Sequence, residues 1–221
     1  MISHNTTALQ LEHPDVDAHR GECAPPVDHG TRLDLSRRID WRFLLPDPRL
    51  ETVACLGCED DALRNALPLF SQSVVFFRDA ADNFEPGPRF DLVVACDPDQ
   101  RTIESAAALL RPGGFLYCEV RRSMSGLSTW SRTPRRTIAC IERIGFRDVC
   151  AHWHWPNFTD CNAIVPVNDD GAAVRFFLDQ QGTGLAQRCK SAAGRAVLAA
   201  GLLDSLIGCY SVLGGGERPE R

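Results

Sequence analysis

LLRPGGFLYCEV, residues 109–120, sets the end of a helical run, a Pro-Gly-Gly turn and a continuous apolar strand in immediate succession. Upstream of it, Ile103, Ala106, Ala107 and Leu110 recur at helical spacing over 100–110, so an amphipathic helix precedes the turn. The segment GGFLYCEV (113–120) has no in-out alternation. Such a strand is covered on both faces, the usual state of strands in a parallel sheet flanked by helices.

The same pattern continues in both directions. Toward the N-terminus, FDLVVAC (90–96), SVVFF (73–77) and TVACLG (52–57) read as strands and DALRNALPLF (61–70) as a helix. Toward the C-terminus, TPRRTIACIERIG (133–145) reads as a helix stopped by Gly145, with FRDVCAHWHW (146–155) and CNAIVPV (161–167) as strands. DWRFLLPDP (40–48) is an apolar cluster ended by prolines, suited to a cap on the domain edge. The predicted fold is α/β: a Rossmann-like, mostly parallel sheet with helices on both faces, over residues 36–168. Residues 1–35 mix His, Asp, Pro and Thr without period and read as a mobile N-terminal arm. Residues 169–221 read as a helical C-terminal extension, with helices over 174–181 and 186–208 and a final strand at CYSVL (209–213).

Composition bounds the function. The 24 basic and 29 acidic residues among 221 leave a net charge of −5, which argues against a general nucleic-acid partner, since such binding needs a clustered basic surface. The stretch 196–213 carries Asp204 as its one charge. Its length is near the lower limit for a membrane span and an aspartate near the centre is costly in lipid. A buried helix, or one that forms a homodimer contact, is the expectation instead. Ten cysteines occur without a recognisable secretory signal, several inside apolar runs. Reduced thiols and a cytoplasmic location are expected.

Four segments in order resemble the class I S-adenosylmethionine-dependent methyltransferase family: VACLGCEDD (53–61), VVFFRDAADNF (74–84), FDLVVACDP (90–98) and LLRPGGFLYCEV (109–120). With the later helix and strands, the resemblance covers about residues 40–168. It implies S-adenosylmethionine as cofactor, with Leu56, Gly57, Cys58 and Glu59 in the loop after the first strand. It also implies Asp79 and Ala80 on the adenine side, and Asp97 after the fourth strand of the family pattern. Glu59 and Asp61 stand where that pattern has two further glycines. The 33 residues between Gly57 and Asp91 accommodate one helical crossover where the pattern has two, so a strand and helix are expected to be missing here, with the acid that would hold the ribose.

Within that reading the expected activity is methyl transfer to a small-molecule acceptor, at oxygen. The alternative is a catalytically silent module serving a partner enzyme. Asp97 is either a polar contact to the reactants or a cap of the following helix. His152 and His154 alternate with Trp153 and Trp155, so the histidines share one face of the strand. His154 is the candidate general base, and the competing reading is a surface or structurally bonded histidine beside an aromatic core patch. Cys150 and Cys161 with these histidines fit no standard zinc spacing. Cys55-Leu56-Gly57-Cys58 has redox-motif spacing but opens no helix. RRSMSGLSTWSRTPRR (121–136) concentrates five arginines. It is either an anchor for an anionic acceptor or a solvated loop.

Overall fold

The structure is a computed structural model that describes residues 28–78, 90–121, 133–167, 171–180 and 185–215. Seven strands are formed: β1 (Leu50–Leu56), β2 (Ser71–Phe77), β3 (Phe90–Cys96), β4 (Leu110–Arg121), β5 (Arg147–Trp155), β6 (Ala163–Val167) and β7 (Cys209–Gly215). They make one sheet in the order β2-β1-β3-β4-β7-β5-β6. The pairs β1/β2, β1/β3 and β3/β4 are parallel, while β7 runs antiparallel to both β4 and β5, and β6 antiparallel to β5. Five strands therefore share one direction, as the apolar runs predict.

The helices are α1 (His29–Arg38), α2 (Asp61–Phe70), α3 (Gln100–Leu109), α4 (Pro134–Arg143), α5 (Ala172–Gln180), α6 (Leu185–Ala199) and α7 (Leu203–Leu206). A 3-10 turn spans Asp40–Leu44. One core lies where Leu63, Ala66 and Leu67 of α2, with Ile39 and Trp41, meet Val53, Cys55, Val94 and Tyr117. The other lies where Ile103, Ala106 and Ala107 of α3 and Ile141 of α4 meet Ala54, Val93, Leu116 and Val212. Burying both sheet faces in this way is what removes the alternation from β1, β3 and β4. Asp60 caps α2 by accepting from Leu63 N at 3.1 Å, and Asp99 caps α3 by accepting from Thr102 N at 2.7 Å.

Three sequence expectations change. Residues 29–35, read as part of a mobile arm, form most of α1, whose N-cap Asp28 accepts from Gly30 N at 2.9 Å. The segment 161–167 forms a strand as expected, β6, but it lies at the sheet edge and runs antiparallel to β5. The strand inserted between β4 and β5 is instead β7, with Tyr210, Ser211 and Val212 fully buried. A boundary at residue 168 therefore cuts through one sheet. The long helix expected over 186–208 breaks at Gly201, which has φ +68, because a left-handed residue ends a helix. No described helix is long and apolar enough to cross a membrane.

Candidate functional site

The chain leaves β1 through α2 to β2 on one side and returns to β3 on the other side of β1. The helices α2 and α3 cover opposite faces of the sheet, so the carboxyl ends of β1 and β3 form a topological switch point, where open α/β sheets hold ligands. Gly57 sits there with φ +65, its N–H donating to Phe77 O at 3.0 Å. A Cβ on Gly57 would meet Cys96 O at 3.2 Å. The left-handed backbone favours glycine, and the tight contact adds to that preference. Next to it, Leu56 is fully buried and offers a ligand only its backbone, Cys58 is 9% exposed, and Glu59 is exposed.

Asp97 follows β3 with φ +46. Its backbone N–H donates to Glu119 O at 2.7 Å and its carboxylate accepts from Arg121 N at 2.6 Å. The helix cap is Asp99 rather than Asp97, and the bonds of Asp97 tie the end of β3 to the end of β4. Among the described residues, the one strand between Gly57 and β3 is β2, which pairs directly with β1 at the sheet edge. Asp79 and Ala80, and residues 122–132 of the arginine-rich stretch, lie outside the described residues.

A buried charge cluster lies beside this crevice. The Arg38 guanidinium donates to both oxygens of Glu119, Nη1 at 2.8 Å and Nη2 at 2.6 Å, and its Nε donates to Asp60 at 3.1 Å. Arg121 Nη2 reaches the same Asp60 oxygen at 2.8 Å. Arg38 is 3% and Glu119 1% exposed. Burial raises the Glu119 carboxyl above its ordinary value, against the pull of Arg38. Burial also works against charge on Arg38, but the bonds and charges of Glu119 and Asp60 outweigh it and raise its pKa. The two arginines hold Asp60 below the usual carboxylate range against its own desolvation. The one signal for this cluster in the sequence is Glu119, a lone acid inside the apolar run FLYCEV.

Both faces of β5 are covered. On one, the histidines are buried and His154 is hydrogen-bonded; on the other, Trp153 packs against the core, as the structurally bonded reading expects, while Trp155 is left largely outside. His152 is 8% and His154 2% exposed, whereas Trp155 is 41% exposed and Trp153 packs edge-on against Phe177 of α5 at 5.7 Å. His154 Nε2 lies 2.8 Å from Ser211 Oγ and 3.5 Å from Tyr117 OH, and its Nδ1 3.6 Å from Cys161 Sγ. Tyr117 stacks on Trp41 at 4.0 Å. Burial, with smaller contributions from His152 and Arg38, pushes the His154 pKa down to about 3. So weak a base, bonded on both nitrogens, suits a structural polar network better than proton abstraction at neutral pH.

The thiols of Cys55, Cys58 and Cys96 converge under the Gly57 turn, with their sulfur atoms all within 4.8 Å of one another. Cys58 Sγ also contacts Asp60 O at 3.6 Å. Bonds from the other two thiols, Cys55 first, draw the Cys58 pKa down, and Cys55 is correspondingly raised. The Cys-Leu-Gly-Cys spacing is visible in the sequence, but the third thiol is 38 positions beyond Cys58 and only the β1/β3 pairing brings it in.

Neither the scan against protein-family models nor the search of curated proteins found a match. Among solved structures, the chain is similar to phosphoethanolamine N-methyltransferase 2 of Haemonchus contortus, crystallised with phosphomonomethylethanolamine and S-adenosylhomocysteine. The identity is 13% and the TM-score 0.44, over 88% of this chain, which spans 54% of the length of that protein. It is also similar to a SAM-dependent methyltransferase from Archaeoglobus fulgidus, at 15% identity and TM-score 0.44, over 84% of this chain and 94% of the other. The O-methyltransferase segment of StiE matches at 14% identity and TM-score 0.42, over 86% of this chain and 75% of the other. These likenesses concern the fold, and the chemistry has to come from the residues of the site itself.

Proposed function

We propose that the chain binds S-adenosylmethionine beyond the carboxyl ends of β1 and β3 and methylates a small-molecule acceptor, at oxygen. The observation that carries this reading is Gly57 at the switch point, with φ +65 and only a tight 3.2 Å space for a Cβ, because the backbone there must approach a ligand closely. The cofactor fits this donor set: the backbone of Leu56, Gly57 and Cys58 lies at the crevice, and the exposed Glu59 carries the charge that attracts a ligand's amino or sulfonium group. When bound, the cofactor supplies an electrophilic methyl group. The protein's own part is to orient the acceptor and exclude water, which supplies most of the rate in such a transfer. Asp97 acts by holding β3 and β4 in place, and His154 by ordering Tyr117 and Ser211.

Asp97-Pro98-Asp99 stands in place of the Asn/Asp-Pro-Pro-Tyr pattern of enzymes that methylate base amino groups, which counts against a nucleobase amino group as acceptor. The five arginines of the stretch 121–136 support an anionic acceptor on the sequence alone, since in the structure Arg121 pairs with Asp60 and Arg135 with Asp204.

The Arg38 cluster favours the second reading, a silent module that serves a partner. Asp60 and Glu119 are already engaged by arginines, so those two acids are not free to answer a cationic ligand. Calorimetric titration with S-adenosylmethionine and S-adenosylhomocysteine separates the two readings. Micromolar binding that disappears in Gly57→Trp, with the circular dichroism of the variant unchanged, supports the enzyme. No heat and no thermal shift at millimolar ligand refutes it and leaves the partner module.

A further inference from the structure

We infer that Cys55, Cys58 and Cys96 form a three-thiolate site for a thiophilic cation, with Zn²⁺ as its natural occupant. The site is distinct from the proposed methyl-transfer chemistry and does not rest on it. Its three ligands come from separate pieces of chain: Cys55 from the last turn of pleat in β1, Cys58 from the loop after it, and Cys96 from the final position of β3. All three belong to the sheet face covered by α2. The β1/β3 register aligns Cys55 with Val94 and Leu56 with Ala95, so Cys96 lies one residue past the paired ends. The left-handed Gly57 then reverses the chain and returns Cys58 beneath them.

The dimensions suit the cation. Zinc–thiolate bonds are about 2.3 Å long, so three sulfurs around one zinc lie about 3.8 Å apart. The three sulfur atoms here fall within 4.8 Å of one another before any ion draws them together. Among the described residues, no other trio of potential ligands is so close.

Buried cysteine is often no more than a small apolar filler, as Cys118 is on the opposite sheet face. A filler needs no second sulfur beside it, let alone a third, and any small apolar side chain would serve. A disulfide between Cys55 and Cys58 would consume two thiols and leave Cys96 without a purpose. A cation uses all three.

The surroundings also support negative charge on sulfur. Cys58 precedes the N-terminus of α2 by three residues, and Arg64 Nη1 approaches the Cys58 carbonyl oxygen at 3.4 Å. Partial positive charge at a helix start and a guanidinium nearby both favour thiolate over thiol. Binding would release the thiol protons to solvent and leave the fourth position of a tetrahedral ion open to water or an added ligand. Because two of the ligands flank Gly57, occupancy would fix the conformation of that loop.

The test uses the full chain, purified under reductant, stripped with a chelator and titrated anaerobically with Co²⁺. The expected result is an intense near-ultraviolet thiolate-to-cobalt absorption that saturates at one equivalent and is discharged by one equivalent of Zn²⁺. Cys58→Ser, the loop ligand, should lose the band, and Cys150→Ser, an exposed thiol outside the trio, should keep it. The wild-type titration stands whether or not the variants fold. Absence of the thiolate band while the thiols are reduced overturns the inference. So does a band that survives in folded Cys58→Ser, or a Cys55–Cys58 disulfide that forms in the presence of Zn²⁺ and excludes it. Cofactor titration is a separate measurement, so the failure of either proposal leaves the other standing.

Discussion

Removing the guanidinium of Arg38 tests the most heavily buried polar feature of the fold. In Arg38→Met the thioether follows much of the arginine stem, so the change is chiefly loss of the charge and its three donated bonds, two to Glu119 and one to Asp60. Asp60 is still served by Arg121, but Glu119, 1% exposed, is left without its fork. Breaking a buried pair from one side costs about 3–5 kcal/mol, because the remaining charge is desolvated and uncompensated. At about 2–4 °C per kcal/mol for a chain of this size, the melting temperature should fall by about 6–20 °C. Glu119 can relieve the cost by taking up a proton, so the deficit should shrink as the pH is lowered from 8 to about 5.5. The double variant Arg38→Met/Glu119→Leu removes the stranded charge and should recover most of the loss. Urea and thermal unfolding followed by tryptophan fluorescence, with Trp41 stacked on Tyr117 as a local reporter, measure the wild type, Arg38→Met, Glu119→Leu and the double variant. A loss below about 1 kcal/mol in the single variant, within the range of an exposed pair, would refute the reasoning. A double variant whose loss is the sum of the two singles would do so as well.

Two further outcomes follow from the same layer and its rim. His152 and His154 have folded-state pKa values lowered to about 4 and about 3. Their unfolded forms bind protons below about 6.5, so their contribution to stability is full above that pH and is lost as the pH falls toward the folded values. At pH 5 each should cost about 2 kcal/mol relative to pH 7.5, and His154→Gln should flatten that slope in urea titrations at stepped pH. A wild-type stability that is level between pH 7.5 and 5 would contradict the burial of both rings. Asp97→Ala loses the exposed 2.6 Å bond from Arg121 N and keeps a left-handed backbone, for an expected loss of about 0.5–1.5 kcal/mol. Asp97→Asn should retain most of the stability, and hydrogen exchange at the Arg121 amide reads the bond directly.

The strands β1, β3 and β4 were legible because burial on both faces writes itself as uninterrupted apolar runs, and Gly57 because a turn at the end of such a run needs a residue free of Cβ. The first helix was not legible. HGTRLDLSRR has little apolar periodicity, and the residue it buries is Arg38, whose reason for being inside is Glu119, 81 positions away. Alternation placed His152 and His154 on one face of β5, yet nothing local says what each face meets. For His154 the answer came from Tyr117 on β4 and Ser211 on β7.

By itself, then, the sequence determined the α/β class, the parallel run of strands and the glycine at the end of the first. Each is encoded in the spacing of nearby residues. Only the tertiary structure decided that β7 is threaded between β4 and β5, that Arg38 is buried on Glu119, and that Cys96 completes the Cys55–Cys58 pair. Those are choices of distant partner. Local periodicity fixes which side of an element is apolar, but the identity of the group packed against it depends on the order in which the strands assemble.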